Sequence, residues 1–144
     1  MCIRLRKQKK DQKEIVFPYQ FYRGWSFPII KFYMAKNTRN APVKMAALVD
    51  SGANISIFNK EAATALGITM WKGKRRSFTG IGGGTYGYEH EVYFDVLGET
   101  FKDKIIFSSQ LESYFNLIGR ESFFAQFAKI CFDENKGETV LVRK

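Results

Sequence analysis

The chain has 144 residues, 45% of them apolar and 16% aromatic, so it reads as one folded domain rather than a disordered segment. Lys and Arg outnumber Asp and Glu by 23 to 14, and the resulting charge of +9 permits a polyanionic partner without requiring one. Two Cys and one His exclude a disulfide framework and make a four-ligand zinc site a poor fit.

Residues 1–14 carry Arg4, Arg6, Lys7, Lys9, Lys10 and Lys13 against Asp11 and Glu14. They read either as a solvated tail or as a contact for nucleic acid or an acidic membrane surface. No apolar region follows that would make a signal peptide, and no run of about 18 apolar residues exists to cross a membrane as a helix. With so few cysteines, the expectation is a soluble, cytoplasmic protein. Residues 15–24 are aromatic, with Phe17, Tyr19, Phe21 and Tyr22. Segment 1–24 is thereby set apart from a domain over 25–144.

From Trp25 onward the period is two. Ile30, Phe32 and Met34 fall on one face, a polar loop over residues 36–42 follows, and residues 43–49 resume as a strand, which together predict a hairpin. Asn59 is a good N-cap, residues 60–66 permit a helix, and Gly67 supplies its stop. At about two turns that helix is too short to found a helical domain. Residues 77–79 and 86–97 flank a run of glycines as a second hairpin, with Tyr86, Tyr88, His90, Val92, Phe94 and Val96 on one face. Residues 101–108, 128–132 and 138–142 read as further strands, and 122–127 as a short helix with Phe123, Phe124 and Phe127 at core spacing. Short strands at this spacing, with so little helix, predict a small all-β barrel or sandwich.

Three segments could carry chemistry. Residues 82–87 match the G-x-G-x-x-G dinucleotide pattern, but the chain leaves them as an alternating strand. A phosphate site needs a helix N-terminus there, so the glycines read as a hairpin tip, a shape that can serve as a lid. In Ala47–Ala53 an apolar strand runs directly into Asp50, Ser51 and Gly52. Such a sequence is common turn chemistry, yet a carboxylate partly buried at a strand end needs a hydrogen bond, a partner or a shared proton. In Phe115–Phe124 an apolar strand ends at Gly119-Arg120, where an Arg can pin a neighbouring loop or simply lay its stem on Phe residues. His90, the only histidine, falls in the second hairpin and reads as a strand residue with a local hydrogen bond, which leaves a Ser hydrolase without a base.

Taken together, Asp50-Ser51-Gly52-Ala53, the glycine-rich hairpin and Leu117-Ile118-Gly119-Arg120 resemble the retropepsin-like aspartic proteases. The helix ending at Gly67-Ile68 and the stretch from Gly119 to Phe124 resemble the bacterial single-domain branch. The resemblance covers residues 28–142 and implies a closed acid-protease barrel with a flap hairpin and one or two short helices. It also implies half an enzyme. One Asp-Ser-Gly per chain calls for a homodimer with two Asp50 carboxylates side by side, acting on a polypeptide without metal or organic cofactor. By the same resemblance Asp50 is catalytic. Ser51, Gly52, Ala53, Asn54, Gly119 and Arg120 support the active-site loops, and Gly80, Ile81, Gly82, Gly83 and Gly84 form the flap over the substrate. The chain departs from the retroviral members at Asn54 and Glu121, where they carry Asp and Asp or Asn, so the ion pair to Arg120 is missing. Two further readings stand beside the endopeptidase: a weakly catalytic peptide-binding module of the same fold, and a nucleic-acid-associated protein using the basic tail.

Overall fold

The computed structural model describes residues 13–80, 83–111 and 115–144. In chain order its strands are β1 (Glu14–Pro18), β2 (Gln20–Tyr22), β3 (Trp25–Phe27), β4 (Ile29–Ala35), β5 (Val43–Val49) and β6 (Ile57–Asn59). Helix α1 (Lys60–Ala65) and a 3-10 turn over Met70–Lys72 follow. Then come β7 (Lys74–Gly80), β8 (Gly83–Val96), β9 (Glu99–Ser108), β10 (Asn116–Ile118), a 3-10 turn at Phe124–Gln126, β11 (Lys129–Asp133) and β12 (Glu138–Val142).

Alternation builds the main sheet. In β4 the inward Ile30, Phe32 and Met34 are all but fully buried, while Lys31 and Tyr33 face out. The strands run in the order β4, β5, β10, β6, β9, β8, β7, and β8 pairs back onto β4 through Tyr33 opposite Asp95. That last pairing closes six strands into a barrel and leaves β7 outside it, paired only with β8 as a projecting hairpin. The barrel interior is filled by Phe32, Phe58, Phe94, Phe107 and Phe123. Burying each such ring is worth about 1.5–3 kcal/mol.

The turns follow local chemistry. Arg23-Gly24 and Leu97-Gly98 both take positive φ at each central residue, the two-residue geometry that lets a hairpin keep its right-handed twist. The Asn37 side chain accepts the amides of Arg39 and Asn40 and so shapes the β4–β5 loop. Asn59 caps α1 by accepting the Ala62 amide at 2.9 Å, and Gly67 ends it at φ +71°.

Four strands, β1, β2, β3 and β6, are absent from the sequence reading. Segment 15–24, read only as aromatic, contributes β1, which pairs with β12 from Glu14 opposite Val142 to Pro18 opposite Glu138. With β11 on its other side, β12 is the centre of a three-stranded sheet. β2 and β3 form a small hairpin whose Tyr22 and Phe27 rings pack on Phe115. The predicted short helix at 122–127 is a turn followed by one 3-10 turn, with Phe123 and Phe127 buried as its spacing requires. Cys131 is buried on β11, and Cys2 lies outside the described residues. Of the basic tail over residues 1–14, residues 1–12 lie outside the described residues, while Glu14 is not a free tail residue but the first residue of β1.

Candidate active site

β5 and β10 run parallel, with Ala47 opposite Asn116, Leu48 opposite Leu117 and Val49 opposite Ile118. Both strands stop at the same level, and their two following turns meet. The β5 turn carries Asp50, Ser51 and Gly52. The β10 turn carries Gly119 and Arg120.

Asp50 is half-buried at the end of β5. Its amide donates to the Ile118 carbonyl at 3.0 Å, which fixes the backbone from the β10 side. One carboxylate oxygen accepts the Gly52 amide at 2.9 Å. Among the described residues the other oxygen has no hydrogen-bond partner, which leaves it available to a ligand. A Cβ on residue 52 would stand 3.3 Å from that hydrogen-bonded carboxylate oxygen, so glycine lets the turn fold tightly under the acid. Ser51 and Gly52 are exposed beside the carboxylate and Ala53 is half-buried.

The two turns are zipped by backbone. Arg120 donates its amide to the Ala53 carbonyl at 2.9 Å, and Glu121 donates to the Asn54 carbonyl at 2.8 Å. Gly119 is in direct contact with the opposing loop, because a Cβ there would fall 2.4 Å from the Ile55 carbonyl oxygen and 2.9 Å from that of Ala53. Sequence reasoning left Arg120 two roles, a side chain that pins a neighbouring loop or a stem laid on Phe residues. The structure assigns the pinning to its main chain instead. The residue is exposed, its guanidinium makes no hydrogen bond to Asn54 among the described residues, and it lines an open hollow with Asn54, Glu121, Phe124 and Ala125.

Gly80 and Gly83 pair at the far end of the β7–β8 hairpin, and Gly83 has φ +111°. Gly84 pairs with Thr79 next to them, and Ile81 and Gly82 lie outside the described residues. The outer half of this hairpin is tied to the chain at the end of β9 and just after it. The Gln110 side-chain oxygen accepts from the Thr85 hydroxyl at 2.6 Å and the Tyr86 amide at 3.3 Å, while Ser108 donates to the Tyr86 carbonyl. Gly87 sits against Phe107 and Ile106, where a Cβ would clash with both. His90 bonds the Met70 carbonyl at 2.7 Å and meets Phe107 edge-on.

Sequence reasoning did not single out Ser56, Asn116 or Ser122. Ser56 and Ser122 are buried and hydrogen-bonded to each other, and Asn116 accepts the Asn59 amide. Nothing in their local sequence marks them, because each finds its partner across more than fifty residues.

A closed six-stranded barrel, two strand ends meeting at an acid and a projecting glycine-tipped hairpin decide the architecture. The fold is retropepsin-like. The family model described as aspartyl protease matches residues 37–100. Among solved structures, a retropepsin-like aspartic protease from Rickettsia conorii is similar at 24% identity, covering 89% of each chain, with a TM-score of 0.66. The EIAV protease, complexed with an inhibitor, is similar at 18% identity over 71% of this chain and 89% of its own, with a TM-score of 0.51. No curated protein sequence matches the chain. The retropepsin-like resemblance carried by Asp50-Ser51-Gly52-Ala53, the glycine hairpin and Gly119-Arg120 stands, and so does the all-β acid-protease barrel that it implied.

Proposed function

We propose that the chain is an aspartic endopeptidase that works as a homodimer on an extended polypeptide. The observation that supports this most directly is Asp50. It ends an apolar strand inside a retropepsin-like barrel, with one carboxylate oxygen held by the Gly52 amide and the other without a hydrogen-bond partner among the described residues.

A single acid of this kind is half of the chemistry. Two carboxylates about 3 Å apart cannot both ionise easily, the general property of aspartic-protease dyads, so a pair shares one proton. The chain supplies one Asp-Ser-Gly, and a second copy supplies the other across a two-fold axis. The ionised Asp50 takes a proton from a water, and that water attacks the scissile carbonyl. The protonated Asp50 of the pair donates to the carbonyl oxygen as charge develops there. Collapse of the tetrahedral species breaks the C–N bond: the carboxyl that took the water's proton passes it to the leaving amine, and the hydroxyl formed from the carbonyl oxygen returns its proton to the other Asp50 as the new carbonyl forms, so the pair again shares one proton. Gly52 keeps Cβ atoms away from the carboxylate, and Ser51 stands exposed toward the partner's turn. The substrate lies extended under the β7–β8 hairpin and pairs through its backbone as an added strand.

The test is cleavage of a peptide library by the full chain and by Asp50→Asn. The expected result is cleavage by the wild type, abolished in a variant that keeps its melting temperature, because amide and carboxyl are nearly isosteric. Cleavage at the wild-type rate by Asp50→Asn would overturn the assignment. Peptide binding with no cleavage by either protein would favour the binding module of the same fold.

A further inference from the structure

We infer that the buried hydroxyl pair Ser56–Ser122 is a positioning device for Asp50, an inference that rests on the aspartic-protease reading above. Ser56 immediately precedes β6 and Ser122 follows the Gly119–Arg120 turn. They are 1% and 6% exposed, and their Oγ atoms are 2.5 Å apart, with either able to donate. Ser56 Oγ also accepts the Gly119 amide at 2.9 Å, and its carbonyl accepts the Ile106 amide at 2.9 Å. One residue therefore joins β6 to β9, to the β10 turn and to Ser122.

The geometry makes this more than core satisfaction. Between Asp50 and Ser122, the two turns are joined by Asp50 N to Ile118 O, Arg120 N to Ala53 O and Glu121 N to Asn54 O. All three are backbone bonds that any sequence can make, so they do not set how far one turn slides along the other. The Ser56–Gly119 and Ser56–Ser122 bonds are the side-chain members of this set among the described residues. They sit at the closed end of the zipper, where Gly119 already touches Ile55 and Ala53. A buried hydroxyl has one proton and two lone pairs to satisfy, which gives this end a single good register. Ile118, which holds the Asp50 amide, is the residue next to Gly119. A slip at the serine pair is thus passed one peptide along to the acid.

Neither serine touches substrate in this arrangement, so both act through Asp50. Loosening them should misplace the acid for chemistry while leaving the peptide-binding strands intact. The experiment uses the full chain as Ser122→Ala, Ser56→Ala and Ser122→Thr, with kcat and KM measured on one peptide beside melting and sedimentation. For both alanine variants kcat should fall about ten- to hundredfold at unchanged KM and unchanged oligomeric state, the size expected of a misplacement near 1 Å. Ser56→Ala should be the more severe, since it also strands the Gly119 amide. Ser122→Thr, which keeps the hydroxyl, should recover most of the rate. If Ser122→Ala did not fold, Ser122→Cys keeps the shape of the side chain, slightly enlarged, with a weak hydrogen-bonding group and should show the same loss of kcat. An active wild type whose folded alanine variants retain its kcat, or lose kcat and KM together without rescue by Thr, would overturn the inference alone. A wild type that cleaves no peptide would overturn the aspartic-protease reading with it.

Discussion

The Ile118 carbonyl holds the Asp50 amide at 3.0 Å, so the acid at the end of one strand is positioned by the end of another. The residue after Ile118 decides whether those ends can meet. Gly119 has no room for a side chain, since a Cβ would stand 2.4 Å from the Ile55 carbonyl oxygen. Both sides of that clash are backbone, and neither can rotate away. Gly119→Ala is expected to cost about 1–3 kcal/mol or more, the range for forced overpacking. Thermal unfolding checks it, and an unchanged melting temperature would mean that the turns have slack.

The core should be most sensitive at Phe123. It is fully buried and meets Phe32, Phe94, Phe101 and Phe127 with ring centroids 5.2–6.2 Å away. Phe123→Ala is expected to destabilise by about 3–5 kcal/mol through lost burial and the cavity left behind. Phe21→Ala should cost little by comparison, because that ring is 75% exposed on the β2–β3 hairpin. Chemical denaturation of the two variants side by side measures the contrast.

Alkaline stability should depend on Tyr19. Burial first, then its hydrogen bond to Glu134 and the negative charges of Glu134 and Asp133, push its hydroxyl up to about 12. A folded pKa above the unfolded value of about 10 means the unfolded chain gives up its proton first. The contribution is therefore complete below pH 10 and disappears as the pH rises toward 12. Because Tyr19 is partly exposed, the effect is modest. Melting curves of Tyr19→Phe and wild type should differ at neutral pH and converge above pH 12. Curves that stay parallel across this range would dismiss the Tyr19–Glu134 contact.

The tryptophans give a spectroscopic check on the whole arrangement. Trp25 and Trp71 are the two in the chain, and they are 73% and 70% exposed. The emission maximum of dilute protein should lie close to that of free tryptophan in water, with ready quenching by acrylamide. A strongly blue-shifted, poorly quenched spectrum at every concentration would place these rings in contacts that the single chain lacks.

Much of this was legible in residues whose environment is local. Alternation in β4, β8 and β9, the Asn59 cap and the Gly67 stop each follow from side chains within a few positions of one another. The Asp50 turn was legible as chemistry, because a carboxylate directly after Ala47, Leu48 and Val49 is out of place unless something holds it. β1 was not legible. Residues 14–18 alternate weakly, and what makes them a strand is β12, more than a hundred residues away. The bond made at Arg120 was hidden for a related reason. An arginine draws attention to its side chain, whereas the bond that counts is made by its amide, which every residue but proline possesses.

The pairing of β5 with β10 also sets the order in which the molecule is made. Ala47 and Leu48 leave the ribosome long before Asn116 and Leu117, and β10 is the strand that separates β5 from β6. Until it arrives, the acid turn has no Ile118 carbonyl to hold it and no Gly119 to close against. Contacts of such long range form late, after the cost of closing the intervening loop has been met. A nascent chain truncated before Asn116 should therefore carry Asp50 in an unassembled turn, with its neighbouring amides exchanging freely with solvent. If this protein cuts peptide bonds, it stays inert during synthesis until β10 has been made and has reached β5.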